Sequence, residues 1–256
     1  MSLFTWLLLL VAAAPSIQAP EPSNQKAAVE WLDKAEKALI EAPAIQLKAE
    51  RKVTMCVAPE IWIRKVQATV LLTRGGRMRI DSTESLLAEK TDAAPVRTQV
   101  RCDGSNFGVA EGPDPDRPKE KKVRGAPVGL SANVAAVLIR TGLEVAYIGW
   151  PIANFEGDRL PDTAFAVDKA RVVEETKVGE RPAVHLEYEV SCFGKGYRHE
   201  LWLDRETLAP LKRKCLETDL FDHARILGYE ETYEPVRRHV KLPDEDVAMP
   251  KSWTSK

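Results

Sequence analysis

The sequence predicts an α+β fold dominated by one antiparallel sheet, and three observations carry that prediction. Two long runs early in the chain, residues 46–57 and 61–74, are rich in β-branched side chains, and in the second of them apolar and polar residues alternate. The last hundred residues hold further strand-like runs joined by short turns, the pattern of an antiparallel meander. Only two stretches, residues 24–40 and 132–140, repeat apolar residues at helical spacing. No segment recurs at a fixed period, which argues against a propeller or solenoid.

The chain has 256 residues, with 37 Lys and Arg against 38 Asp and Glu. Charges so nearly balanced create no field that would draw the protein onto nucleic acid, which is therefore not expected as a partner. Residues 3–14 (LFTWLLLLVAAA) are apolar but too few to span a bilayer, and small residues up to Ala19 suit a signal peptidase. Residues 1–19 are thus expected to be a cleaved secretory signal. The remainder, 20–256, has the size of a single β-rich domain. Four cysteines follow the leader, Cys56, Cys102, Cys192 and Cys215. In an oxidising compartment two readings stay open, a Cys56–Cys102 bridge or four small buried hydrophobes.

In chain order, Ser23 or Asn24 is placed to cap the first helix, whose apolar stripe (Ala28, Trp31, Leu32, Ala35, Ala38, Leu39) faces away from Glu30, Asp33, Lys34 and Lys37. Pro43 ends it. In the strand that follows, Val66, Ala68, Val70 and Leu72 alternate with Lys65, Gln67 and Thr69, so one face is buried. Gly75-Gly76 marks a turn into a strand over 77–84, and Asp103-Gly104 marks a hairpin within 97–109. Residues 111–127 (EGPDPDRPKEKKVRGAP) offer nothing to bury and read as an exposed loop. The second helix, 132–140, is apolar nearly all round, so Val134, Val137 and Leu138 are expected in the core or as a plug over an apolar concavity. In the meander Val184, Leu186, Tyr188 and Val190 alternate with His185, Glu187, Glu189 and Ser191, one dry face against one wet.

This order of elements, with three local segments, resembles the LolA/LolB-like superfamily of periplasmic lipoprotein carriers and sorting proteins. In residues 68–80 (ATVLLTRGGRMRI), Arg74 falls on the family's arginine and Met78 on its aromatic, while Gly75 replaces a proline. Residues 101–109 (RCDGSNFGV) are similar to the family's Asp-Gly turn, residues 201–211 to a hairpin common among its relatives, and residues 240–250 (VKLPDEDVAMP) to its closing extended tail. The resemblance implies a strongly curved antiparallel sheet, an incomplete β-barrel, with helices plugging its concave face and acyl chains of a lipid or lipoprotein between them. It implies a periplasmic, non-catalytic monomer that meets envelope membrane proteins, with Arg74, Met78, Val134, Val137 and Leu138 as its ligand-binding residues. The alternative is an envelope scaffold or sensor of the same fold with a filled core, acting by protein contact.

No constellation points to chemistry. There is no GxSxG elbow, phosphate loop or HExxH motif, the four histidines lack ligand spacing, and no cofactor or metal is implied. A four-residue loop over 193–196 would set Val190 opposite His199 and gather Cys192, His199 and Cys215 on one face. Such a trio is better read as buried strand residues than as a metal or thiolate centre, because zinc asks for a fourth ligand. Cys192 and Cys215 would stand two strands apart, about 9.6 Å, too far for a disulfide. The adjacent acids Glu174-Glu175 and Glu230-Glu231 point to opposite faces of a strand and form no dyad.

Overall fold

The computed structural model describes residues 22–57, 60–87, 94–114, 119–126, 165–192, 195–215, 220–221 and 224–254. The expected leader and the expected helix over 132–140, with Val134, Val137 and Leu138, lie outside the described residues.

The chain opens with a helix, α1 (Pro22–Ile40), followed by six strands: β1 (Ala44–Val57), β2 (Glu60–Thr73), β3 (Met78–Leu87), β4 (Val96–Cys102), β5 (Asn106–Gly112) and β6 (Glu120–Gly125). A second set comprises β7 (Phe165–Val178), β8 (Arg181–Cys192), β9 (Lys195–Asp204), β10 (Pro210–Cys215), β11 (Leu220–Phe221), β12 (Ala224–Tyr233) and β13 (Arg237–Arg238). Two short helices follow, α2 (Asp244–Val247) and α3 (Lys251–Thr254). All described strands belong to one antiparallel sheet, in the order β6-β5-β4-β3-β2-β1-β12-β10-β9-β8-β7, with β11 paired beside β12 and β13 beside β1. The two meanders therefore join along β1 and β12. Among the described residues β6 and β7 remain unpaired edges, so this is an open, curved sheet and not a closed barrel.

Alternation decides which side is dry. Leu47 and Ala49 of β1 stand level with Val70 and Ala68 of β2. Ile80 and Val100 continue the same face. Leu201, Leu186 and their neighbours line it on the other side of the β1–β12 junction. This inner face forms one core with Ala28, Leu32, Ala35 and Leu39 of α1. Pro22 begins the helix, where its missing N–H costs nothing. Ser23 and Asn24 therefore lie inside the helix, and neither is the expected N-cap. The Asn24 amide donates to Val172 O (3.2 Å) and accepts from Val172 N (2.8 Å), pinning α1 to β7. The β7–β8 register slips on either side of Val172, which frees its backbone for that pairing.

The turns follow their residues. Gly76 takes φ +77° between β2 and β3, and Gly104 takes φ +98° between β4 and β5. There the Asp103 carboxylate accepts from the N–H groups of Ser105 (2.8 Å) and Asn106 (2.7 Å).

Three expectations are corrected. Part of the stretch read as a loop over 111–127 is an edge strand, β6, because β5 offers a free ladder to residues 120–125 whatever their polarity. Cys102 is a free, buried thiol, so the Cys56–Cys102 bridge does not form. Register explains why: Cys102 stands level with Met78, Leu72 and Ile45, and Ile45 lies eleven residues along β1 from Cys56, about 36 Å. The closing tail is not merely extended. Val247 and Trp253 are buried, and α2 and α3 lie on the outer face of the β3–β6 end of the sheet. Ion pairs Arg77–Asp244 (2.6 Å) and Arg79–Asp246 (2.9 Å) hold this strap, with Lys121 donating to Ser252 O (2.6 Å). Gly108 makes room for it: a Cβ there would stand 2.9 Å from both Met249 Sδ and Trp253 Cε3.

Candidate functional site

The inner face is largely apolar; Ser82 and Thr98 are buried on it and Arg64 pairs with Glu84 towards its end, but its most deeply buried charges stand in one row. Arg213 of β10 pairs in register with Glu231 of β12, which pairs with Arg51 of β1. All three lie at inner-face positions and are 0, 1 and 4% exposed respectively. Glu231 sits between the two cations, its Oε1 3.7 Å from Arg51 Nε and its Oε2 3.7 Å from Arg213 Nη1. Tyr233 donates its hydroxyl to Glu231 Oε2. The Arg51 guanidinium lies 3.9 Å over the Tyr229 ring. Arg213 Nε, Nη1 and Nη2 have no hydrogen-bond partner.

The next row holds Tyr229, Cys215, His199 and Tyr188, in consecutive register. His199 stacks on Tyr188 (5.3 Å, 18° between planes) and meets Tyr229 edge-on (6.5 Å). Burial, then the charges of Arg213 and Arg51, push the His199 pKa down to about 3, so the imidazole is neutral. Burial raises the Tyr188 phenol to about 12 and raises Tyr229 and Tyr233 as well. For Arg213 burial works against the charge, but Tyr233 and Glu231 beside it outweigh that and raise its pKa. The site thus carries two fixed positive charges and one carboxylate inside a largely apolar face.

Cys215 does stand opposite His199. Cys192 does not join them. It pairs with Lys195, and Tyr188 takes the place opposite His199 that Val190 was expected to fill. The β8–β9 ladder runs on to Cys192 and Lys195, a register two residues away from the expected one, and a slip of two keeps each position on its own face. Cys192 ends four residues from the level of His199, about 13 Å along β8. The acidic neighbours separate as expected: Glu231 is buried, whereas Glu230 pairs with Lys212 at 2.5 Å on the outer side.

Of the ligand-binding residues drawn from the sequence, Met78 is fully buried on the inner face between Leu72 and Cys102. Arg74 is exposed at the β2–β3 turn, where its backbone N–H donates to Pro43 O at 3.0 Å. Arg51, Arg213 and Glu231 escaped the sequence reading, although parity marks all three. Arg51 lies two residues from Ala49 and Val53, Arg213 two from Leu211 and Cys215, and Glu231 two from Tyr229 and Tyr233.

On the outer face a trough of about 720 Å³ crosses β12, β1, β2, β3 and β4. Lys48, Glu50, Gln67, Thr69 and Asp81 are among its lining residues. Several of its charges are held in ion pairs, Lys48 with Glu234 (3.2 Å), Glu50 with Lys65 (3.0 Å) and Asp81 with Arg79 (2.6 Å). No helix among the described residues is long and apolar enough to cross a membrane.

No protein-family model matches the chain, and no curated protein matches it. Solved structures of similar fold exist. One is MucB, 17% identical over 88% of this chain and 64% of that one, with a TM-score of 0.42. The chain thus spans under two thirds of the MucB length. LprF from Mycobacterium bovis is 12% identical over 88% of this chain and 98% of that one, with a TM-score of 0.45. A putative outer membrane lipoprotein-sorting protein domain from Vibrio parahaemolyticus is 12% identical over 88% and 97%, with a TM-score of 0.33. These are likenesses in the course of the backbone.

Proposed function

We propose that this protein is a periplasmic, non-catalytic binding or carrier protein that holds the acyl chains of a lipid or lipoprotein against its inner face. The observation that carries the reading is an apolar face, continuous across an open sheet, in which a fully buried arginine lacks a hydrogen bond. The apolar face matches acyl chains, and Arg213 matches an anionic head group. Arg74, at the sheet margin, and Met78, within the core, together with Val134, Val137 and Leu138, complete the proposed ligand contacts. Residues 1–19 act in this reading as the export signal.

The test is purification of the full chain from its native envelope, solvent extraction and lipid mass spectrometry, followed by titration with a fluorescent fatty acid. The expected result is co-purified acyl lipid and saturable binding, weakened more for a carboxylate probe than for its neutral ester in Arg213→Met. Protein that is reproducibly empty and binds neither probe overturns the reading.

A second reading, an envelope scaffold acting by protein contact, rests on its own observation. Helix α1 and the sheet already share a packed core, whereas the 720 Å³ trough on the opposite face is polar. Here a stable complex with an envelope protein, lost on altering trough residues such as Thr69 and kept by lipid-free protein, is the expected result.

A further inference from the structure

The outer face of the β7–β9 corner gathers donor atoms that no role described so far uses. Glu187 of β8 stands directly opposite Glu200 of β9. Like charges in direct cross-strand register repel unless something positive joins them. Arg171 and Arg198 both bind Glu187, but every one of those contacts falls on Oε2, at 2.6 to 3.3 Å. His185, two residues before Glu187, is 8% exposed and stacks on Trp202 with ring centroids 4.2 Å apart and planes 9° from parallel. Its buried Nε2 has no hydrogen-bond partner and faces Glu200 Oε2 at 3.9 Å. On its other side Nδ1 faces Glu174 Oε1 at 3.9 Å.

We propose that His185, Glu187 and Glu200 form a zinc-binding site on the outer face of β8 and β9. One ligand atom from each of the three lies within 4.8 Å of the others. Zinc bonds of about 2.0–2.2 Å hold donors about 3.4 Å apart, so a small rotation of either glutamate closes the set, and water takes the fourth position. Glu174 stands where the outer carboxylate of a carboxylate–histidine–zinc arrangement belongs. The sequence alone hides the set, because only the β8–β9 register brings Glu200 to the other two.

The test is calorimetric titration of the untagged full chain with Zn²⁺, with circular dichroism as a check on folding. One site per chain is expected. Glu200→Gln and Glu187→Gln are each expected to weaken it at least about tenfold, Glu174→Gln by a smaller factor, and His185→Gln to remove it. His239→Gln, altering an exposed histidine, keeps wild-type affinity. If His185→Gln fails to fold, the glutamate variants decide the matter. Absence of binding, affinity unchanged in both Glu200→Gln and Glu187→Gln, or loss in His239→Gln overturns the site. None of these outcomes bears on the acyl-chain reading, which concerns the opposite face.

Discussion

Two arginines share one glutamate on the inner face, and the asymmetry of that arrangement makes a sharp prediction. Removing the carboxylate leaves two buried cations facing each other, so Glu231→Gln is expected to destabilise the fold by about 3–5 kcal/mol. Removing Arg213, which makes no hydrogen bond and is held by Glu231 at 3.7 Å and the Tyr233 ring at 5.9 Å, still leaves Glu231 paired with Arg51, so no buried charge is stranded. Arg213→Met is therefore expected to be neutral or to stabilise by about 1–4 kcal/mol, measured by urea denaturation. A strongly destabilised Arg213→Met would show that the cation serves the fold itself. His199 adds a pH dependence. Its pKa is about 3 in the folded protein and ordinary, about 6.5, in the unfolded chain. Between those values the unfolded chain binds a proton that the folded protein refuses, so this contribution is complete above about pH 6.5 and shrinks as pH falls. The slope is at most about 1.4 kcal/mol per pH unit, and His199→Asn is expected to flatten it in denaturation curves taken from about pH 6 to 4.

At the scale of elements, the strap formed by α2 and α3 is the feature least foreshadowed by the sequence. Its residues 240–250 read as an extended tail because two four-residue helices show no periodicity. What holds them is tertiary: Trp253 and Met249 over Gly108, and two arginine–aspartate pairs to β3 and its turn. Trp253→Ala is accordingly expected to cost about 3–5 kcal/mol, and Gly108→Val to loosen the strap by steric conflict. Hydrogen exchange at α2 and α3 would rise in both variants while that of β8 and β9 stays low. Strands were far more legible, since alternation in 65–72 and 184–190 fixed the dry face before any pairing was known. Register was not legible. The tetrapeptide 193–196 fits more than one hairpin loop, and the difference moved Tyr188 into the place expected for Val190 while leaving both on the inner face.

For the whole molecule, two meanders fuse along β1 and β12 and leave β6 and β7 as open edges. The fusion places residues of opposite ends of the chain in one row, and this is why the Arg51–Glu231–Arg213 contact could not be read from spacing: Arg51 comes from the first meander and the other two from the second. Parity alone identified the face. The central claim is that this face, and not the polar trough behind it, receives acyl chains. Photo-crosslinking with a diazirine-bearing fatty acid, with adducts mapped by peptide mass spectrometry, tests it most directly. The account predicts adducts on inner-face residues such as Leu47, Val70, Met78 and Leu186; adducts confined to outer-face residues such as Gln67 and Thr69, or none at saturating probe, would contradict it.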